Sequence, residues 1–140
     1  MATTELFRDE YSRLSRVEEH RAIELHWFAA TKSMPEARFR QGLERLASTL
    51  EKDRVPNVLI DVVEFAHQPE PDFTSWRDRN IIPRYNGAGV RKFAFVMPTT
   101  AAHTVEHGAP PAVEDPGKFP TAYFNGRPRA YAWFDETAKA

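Results

Sequence analysis

Two apolar runs separated by about thirty residues constrain the fold of this chain more than any other feature. Residues 58–63 (VLIDVV) and residues 93–97 (FAFVM) are almost continuous in apolar side chains. Such strands are typical of a sheet that is covered on both faces, and a connection of this length has room for a crossover helix. The spacing therefore predicts that Leu59 and Phe95 lie on adjacent or nearly adjacent parallel strands of one sheet.

The residues before the first apolar run predict a hairpin followed by a long helix. Residues 11–28 are expected to form two strands joined by a polar turn, because apolar and polar side chains alternate over residues 23–27. Residues 33–36 (SMPE) match a capping box, in which a serine hydroxyl and a glutamate carboxylate bond each other's backbone amides. The apolar residues that follow at helical spacing predict a helix that ends near residue 53.

The residues between the two apolar runs predict a loop and a second helix. Residues 64–71 are too rich in proline for regular structure. Asp72 is expected to be the N-cap of a helix that carries Phe73 and Trp76. Pro83 is expected to kink or end that helix.

The C-terminal third predicts three short elements. Residues 99–107 are expected to form a short helix, and residues 121–124 are expected to form a closing strand. Residues 125–126 (NG) are a hairpin signal, but the aromatic residues that follow Pro128 favour a final helix instead.

Together these patterns predict the α/β class, with one mixed, mostly parallel sheet, an N-terminal hairpin and covering helices. The 140 residues suffice for a single domain with one core. Residues 1–10 are polar and are expected to be a flexible N-terminus, whereas residues 11–140 are expected to form the domain.

Composition argues against several classes of function. The formal net charge is −1, so no broad positive field is expected to attract nucleic acid. The absence of cysteine excludes disulfides and thiolate zinc sites, and no stretch has the length and apolarity of a membrane span. Residues 103–107 (HTVEH) match the letters of a zinc-peptidase motif, but a solvated helix end is the preferred interpretation. We expect a cytoplasmic protein with no cofactor and no metal.

The order of these elements, with several short segments, resembles the SpoIIAA-like (STAS) family, and in particular a bacterial STAS-like branch with kinship to the CRAL-TRIO lipid-binding fold. This resemblance implies a mixed sheet, a binding or regulatory role and no established catalytic residues. The segments that carry it are residues 39–44 (FRQGLE), 59–61 (LID), 88–96 (AGVRKFAFV), 130–134 (AYAWF) and Trp76 with Pro83.

The resemblance also implies a candidate phosphorylation site. In the family's anti-sigma-factor antagonists, a serine or threonine beside an aspartate is phosphorylated at the start of the helix that follows a central strand. Residues 72–76 (DFTSW) occupy the corresponding region here, which makes Thr74 and Ser75 the candidate acceptors.

The loop and helix of residues 64–77 form the candidate site. Asp61 ends a strand at the carboxyl edge of the sheet, where it either contacts a ligand or anchors the amides of the next loop. His67 is a candidate base, ligand or switch, or else it fixes the loop. Phe65 and Trp76 either fill the core or, where the layers do not mesh fully, border an apolar pocket, and Arg77 is either solvated or able to meet an anionic headgroup.

Three functions remain open at this point. The first is a non-catalytic STAS-like regulatory or binding module that acts through residues 64–77 on a protein partner or a small apolar or anionic ligand, with a homodimer as a further option. The second is a carrier or sensor of a lipid-like or small apolar-anionic molecule. The third is a small enzyme that uses Asp61, His67 and Asp72 as acid/base groups.

Overall fold

The computed structural model of the protein describes residues 3–98 and 119–136. The predicted helix of residues 99–107, with the HTVEH segment, lies outside these residues. No helix in the described part is both long and apolar enough to cross a bilayer. In chain order the elements are β1 (Thr3–Arg8), β2 (Ser12–Val17), β3 (Ala22–Trp27), α1 (Glu36–Asp53), β4 (Asn57–Asp61), α2 (Phe73–Asn80), α3 (Ile82–Ala88), β5 (Lys92–Val96), β6 (Thr121–Phe124) and α4 (Arg127–Asp135).

The strands form one mixed sheet in the order β1-β2-β3-β4-β5-β6. The pairs β1–β2 and β2–β3 are antiparallel, and the pairs from β3 to β6 are parallel. Leu59 pairs with Ala94 and Ile60 pairs with Phe95, so the predicted parallel arrangement of the two apolar runs is confirmed. The predicted hairpin, closing strand and final helix are confirmed as well.

The N-terminal residues differ from the expectation of a flexible segment, because residues 3–8 form the edge strand β1. Thr3 lies opposite Val17 and Arg8 lies opposite Arg13 in an antiparallel ladder with β2. The side chains of β1 are largely exposed, so the sequence carries no apolar alternation that would reveal the strand. Backbone pairing with β2 orders it instead.

Helix α1 has the predicted apolar face and the predicted end, but the predicted capping box is wrong. The helix begins after Pro35, and no side chain caps its first amides. The Glu36 carboxylate accepts hydrogen bonds from His67 and Arg40 instead. Side-chain donors of this kind bind a carboxylate more strongly than a neutral amide does, which explains why Glu36 turns away from the cap position.

The second predicted cap is also wrong, although the helix itself is present. Asp72 precedes α2 but makes no side-chain hydrogen bond to its amides. Its Oδ1 accepts from Arg40 Nη2 at 2.7 Å. As predicted, Pro83 marks a break: α2 ends at Asn80, and Pro83 lies in the first turn of α3.

Alternation along the strands separates the core into two layers. One layer packs α1 and α3 against a sheet face that includes Leu25 and Ile60. The other packs α4 against the opposite face, which includes Leu59 and Ala94. Strand β4 is buried along its whole length because helices cover both of its faces.

Close approach of α1 to β3 depends on Gly42. A Cβ atom at this position would lie 2.7 Å from Cη2 of Trp27. The Trp27 ring has little room to retreat, since it packs against Phe39 and Phe65. The glycine therefore sets the distance between the helix layer and the sheet.

Replacing Gly42 with alanine should lower the free energy of unfolding by about 1–2 kcal/mol, because overpacking against Trp27 outweighs the gain in helix propensity. Gly87→Ala is the matched control, since Gly87 also lies in a helix and a Cβ atom there meets nothing within 4 Å. That variant should be unchanged or more stable by up to about 1 kcal/mol. Urea denaturation measures both, and equal destabilisation of the two variants would contradict the close contact.

Candidate functional site

A cavity of about 490 Å³ lies between the sheet and the layer of α1, α2 and α3. Pockets for small molecules commonly have volumes of about 300–1,000 Å³ and mainly apolar walls. The walls here are mainly aromatic and aliphatic. The described aromatic residues that line the cavity are Trp27, Phe39, Phe65, Phe73, Tyr85, Phe93, Phe95, Phe119 and Tyr123.

Two groups of aromatic rings contribute to the cavity wall. Beside the loop after β4, the Phe39 ring packs against Phe65 at 5.5 Å and against Phe73 at 4.8 Å. Farther along the sheet, the Phe93 ring packs against Tyr85 at 5.4 Å and against Phe119 at 5.6 Å. The rings therefore pack among themselves and leave the space between the two groups unfilled by described residues.

Two polar side chains of the cavity wall lie on the consecutive helices α2 and α3. Arg77 is the only charged residue among the described residues that line the cavity. Tyr85 is 2% exposed, and its hydroxyl has no hydrogen-bond partner in the described part of the chain. Burial raises the pKa of Tyr85 against the opposing effect of the positive charges of Arg77 and Arg84. The Tyr85 hydroxyl is therefore a protonated donor.

The loop of residues 62–72 is fastened to α1 by an ion-pair cluster centred on Glu36, which we call the Glu36 clasp. It comprises Glu36, Arg40, His67 and Asp72. Glu36 Oε1 accepts from His67 Nε2 at 2.8 Å, and Glu36 Oε2 accepts from Arg40 Nε at 2.7 Å. Arg40 also donates to Asp72, so one carboxylate and one guanidinium hold both ends of the segment 67–72.

The protonation of the Glu36 clasp follows from these contacts. A carboxylate only accepts hydrogen bonds, so the proton on His67 is on Nε2. Burial alone would raise the pKa of Glu36, but the hydrogen bonds from His67 and Arg40 outweigh that effect and lower the pKa below its usual value. The charged form of Glu36 therefore stabilises the attachment of the loop to α1.

A second polar cluster lies on the opposite face of the sheet, under α4. Arg127 donates from Nε to Glu24 Oε2 at 2.9 Å and from Nη1 to Asp61 Oδ2 at 2.8 Å. Glu24 is 6% exposed and Asp61 is 3% exposed. The Tyr131 hydroxyl also donates to Glu24, and burial together with the Glu24 charge raises the pKa of Tyr131. This cluster anchors α4 to the parallel strands.

The structure separates the predicted site residues into three groups. Phe65 and Arg77 line the cavity, whereas Trp76, which was expected to border it with Phe65, is not part of its described lining. His67 and Asp72 belong to the Glu36 clasp, and the Arg40 guanidinium lies 5.0 Å from the Trp76 ring. Outside both groups are Asp61, whose Oδ1 accepts from the Val63 amide at 3.0 Å, and the exposed pair Thr74 and Ser75.

These positions do not assemble the three proposed acid/base groups. Asp61 pairs with Arg127 on the α4 face, whereas His67 pairs with Glu36 and Asp72 with Arg40 beside the cavity. No two of the three share a partner. In the described part of the chain, no group of three or more histidine and acidic side chains could hold a metal ion.

Several residues at these sites carry no signal in the sequence that would single them out. Arg40 looks like an ordinary solvated position on an amphipathic helix, Glu36 looks like part of a helix cap, and Tyr85 looks like a core aromatic. Glu24 and Arg127 lie 103 residues apart. A glutamate between apolar residues of a strand and an arginine at a helix start are each common on their own. Only the folded sheet brings them together.

Comparisons of the chain with protein-family models, with curated proteins and with solved structures gave no significant match.

Replacing Glu36 with glutamine should lower the free energy of unfolding by about 2 kcal/mol at neutral pH, because His67 and Arg40 then donate to a neutral group. A carboxyl with a lowered pKa contributes stability above its ordinary value of 4.5 and loses it as the pH falls. The difference between wild type and variant should therefore shrink at pH values below 4.5. Urea denaturation across this range tests the prediction.

Glu70→Gln is the matched control, because Glu70 lies in the same loop with a largely exposed side chain. Its effect should stay within about 0.5 kcal/mol at any pH. A Glu36→Gln difference that does not depend on pH would contradict the proposed charge state of the clasp.

Replacing Arg127 with methionine should destabilise the protein by about 3 kcal/mol, because Glu24 and Asp61 would remain buried without their cation. Arg79→Met is the control, since Arg79 is an exposed arginine of α2. Thermal and urea denaturation measure both variants. Equal stability of Arg127→Met and wild type would show that the cluster does not hold α4 in place.

Proposed function

We propose that the protein is a non-catalytic binding module that holds one small, mainly apolar molecule in the cavity between the sheet and α1, α2 and α3. It then acts as a carrier or sensor of that molecule. The observation that carries this proposal is the cavity of about 490 Å³ with aromatic walls beside the predicted functional loop.

The composition of the cavity wall favours an apolar occupant. The cavity is partly open to solvent, so water contacts its walls when no ligand is bound. Water is a poor filler because aromatic and aliphatic walls offer it few hydrogen-bond partners. An apolar molecule restores the missing dispersion contacts.

The arrangement of α2 supports a regulatory role for the same site. Phe73 and Arg77 line the cavity, whereas Thr74 and Ser75 of the same helix are exposed. A ligand in the cavity therefore contacts the helix whose outer side is accessible to a protein partner. The resemblance to the SpoIIAA-like (STAS) family, and phosphorylation of Thr74 or Ser75, stay predictions within this proposal.

Binding of octanol and octanoate, followed by isothermal titration calorimetry, tests the proposal. Val62 lines the cavity, and Val63 is its chain neighbour with 44% of its surface exposed and no place in the cavity wall. Val62→Trp should weaken binding of both probes at least tenfold, because the indole occupies the space they need. Val63→Trp is the matched control and should bind both probes as wild type does.

Two results would overturn the proposal. One is the absence of binding of either probe to the wild-type protein at concentrations up to its solubility. The other is equal weakening by Val62→Trp and Val63→Trp, which would place the probes on the surface rather than in the cavity.

A further inference from the structure

We propose that Tyr85 and Arg77 together recognise a carboxylate, so that the ligand is an amphipathic carboxylic acid with an apolar chain or ring. The inference rests on the proposed function, because it assigns the ligand class and its orientation within the same cavity. It places the carboxylate between α2 and α3, and it places the apolar part against the rings beside the loop.

The first support is the Tyr85 hydroxyl, which makes no hydrogen bond within the described part of the chain. Buried hydroxyl groups nearly always have a hydrogen-bond partner, because desolvation without one costs free energy. Tyr85 is almost fully buried and lines the cavity, yet its hydroxyl has no partner among residues 3–98 and 119–136. A ligand oxygen in the cavity would satisfy it.

The second support is the positive charge of Arg77, which lines the same cavity as Tyr85. Arg77 donates from Nε and Nη2 to Asp78 Oδ1, at 3.1 and 2.9 Å, on the exposed side of the helix. Its Nη1 has no hydrogen-bond partner within the described residues. Arg77 and Tyr85 line the same cavity, so a ligand held there can contact both donors. Two donors, one of them positively charged, favour an anionic acceptor over a neutral one.

The third support is the absence of competing acids. No aspartate or glutamate belongs to the described lining of the cavity, so a ligand carboxylate meets no like charge from the wall. Asp78 accepts hydrogen bonds from Arg77 and does not belong to the described lining. The remaining wall suits an apolar chain, as expected of a site that orients its ligand with a few polar groups.

The experiment compares octanoate with octanol, which differ only in the head group. Wild type should bind octanoate at least tenfold more tightly than octanol at low salt. Tyr85→Phe should reduce octanoate affinity about tenfold and leave octanol affinity nearly unchanged. It should not lower the melting temperature of the ligand-free protein, because it removes a hydroxyl that has no hydrogen-bond partner in the described part of the chain.

Arg77→Gln should reduce octanoate affinity to a similar degree and should abolish its dependence on salt. Arg79→Gln is the matched control, because Arg79 is an exposed arginine of the same helix and does not line the cavity. That variant should keep the octanoate preference, since it changes the net charge equally without changing the wall.

The outcomes separate the two proposals. If octanol and octanoate bind equally well and Val62→Trp weakens both, the cavity binds apolar molecules but the carboxylate inference is wrong. If Tyr85→Phe destabilises the ligand-free protein and leaves octanoate binding unchanged, the hydroxyl has a structural role and the inference is again wrong. If neither probe binds wild type, both proposals fail.

Discussion

Parallel pairing of β4 with β3 and β5 is the constraint on which the rest of the structure depends. It places β4 in the interior of the sheet, where helices cover both faces, and alternate side chains of β4 therefore enter two different layers. Ile60 faces the helix layer with the cavity, and Asp61 faces α4. Because one strand serves both faces, the apolar site and the ion-pair cluster under α4 lie back to back across a single sheet.

Patterns within short windows predicted the fold well. The apolar runs, the alternation of residues 23–27 and the periodicity of α1 depend on neighbours within a few turns, and each is confirmed. The predicted caps at residues 33–36 and at Asp72 are wrong, and the carboxylates of Glu36 and Asp72 bind side chains of other elements instead. Glu36 binds His67, which lies 31 positions away in the sequence. A short stretch of sequence does not show whether a side chain will bind a neighbouring amide or a distant partner.

The candidate site also combines residues that the sequence pointed to with residues that only the folded structure reveals. Phe65, Trp76 and Arg77 were chosen as candidates because they follow a central strand, where α/β sheets place ligands, and of these three Phe65 and Arg77 belong to the described cavity lining. Tyr85 was not predicted, because no sequence pattern distinguishes a buried tyrosine with a bonded hydroxyl from one whose hydroxyl, as here, has no partner among the described residues. Aromatic side chains of the cavity wall pack in two groups, one around Phe39 and one around Phe93.

On the proposed function, the space between the sheet and the helices holds a small molecule in cells. Native mass spectrometry of the full chain, purified from cells without a denaturing step, can detect that molecule. We expect a species heavier than the bare chain by the mass of one small molecule, which disappears when the protein is denatured. A spectrum that contains only the bare chain, recorded under conditions that preserve other noncovalent complexes, would contradict it.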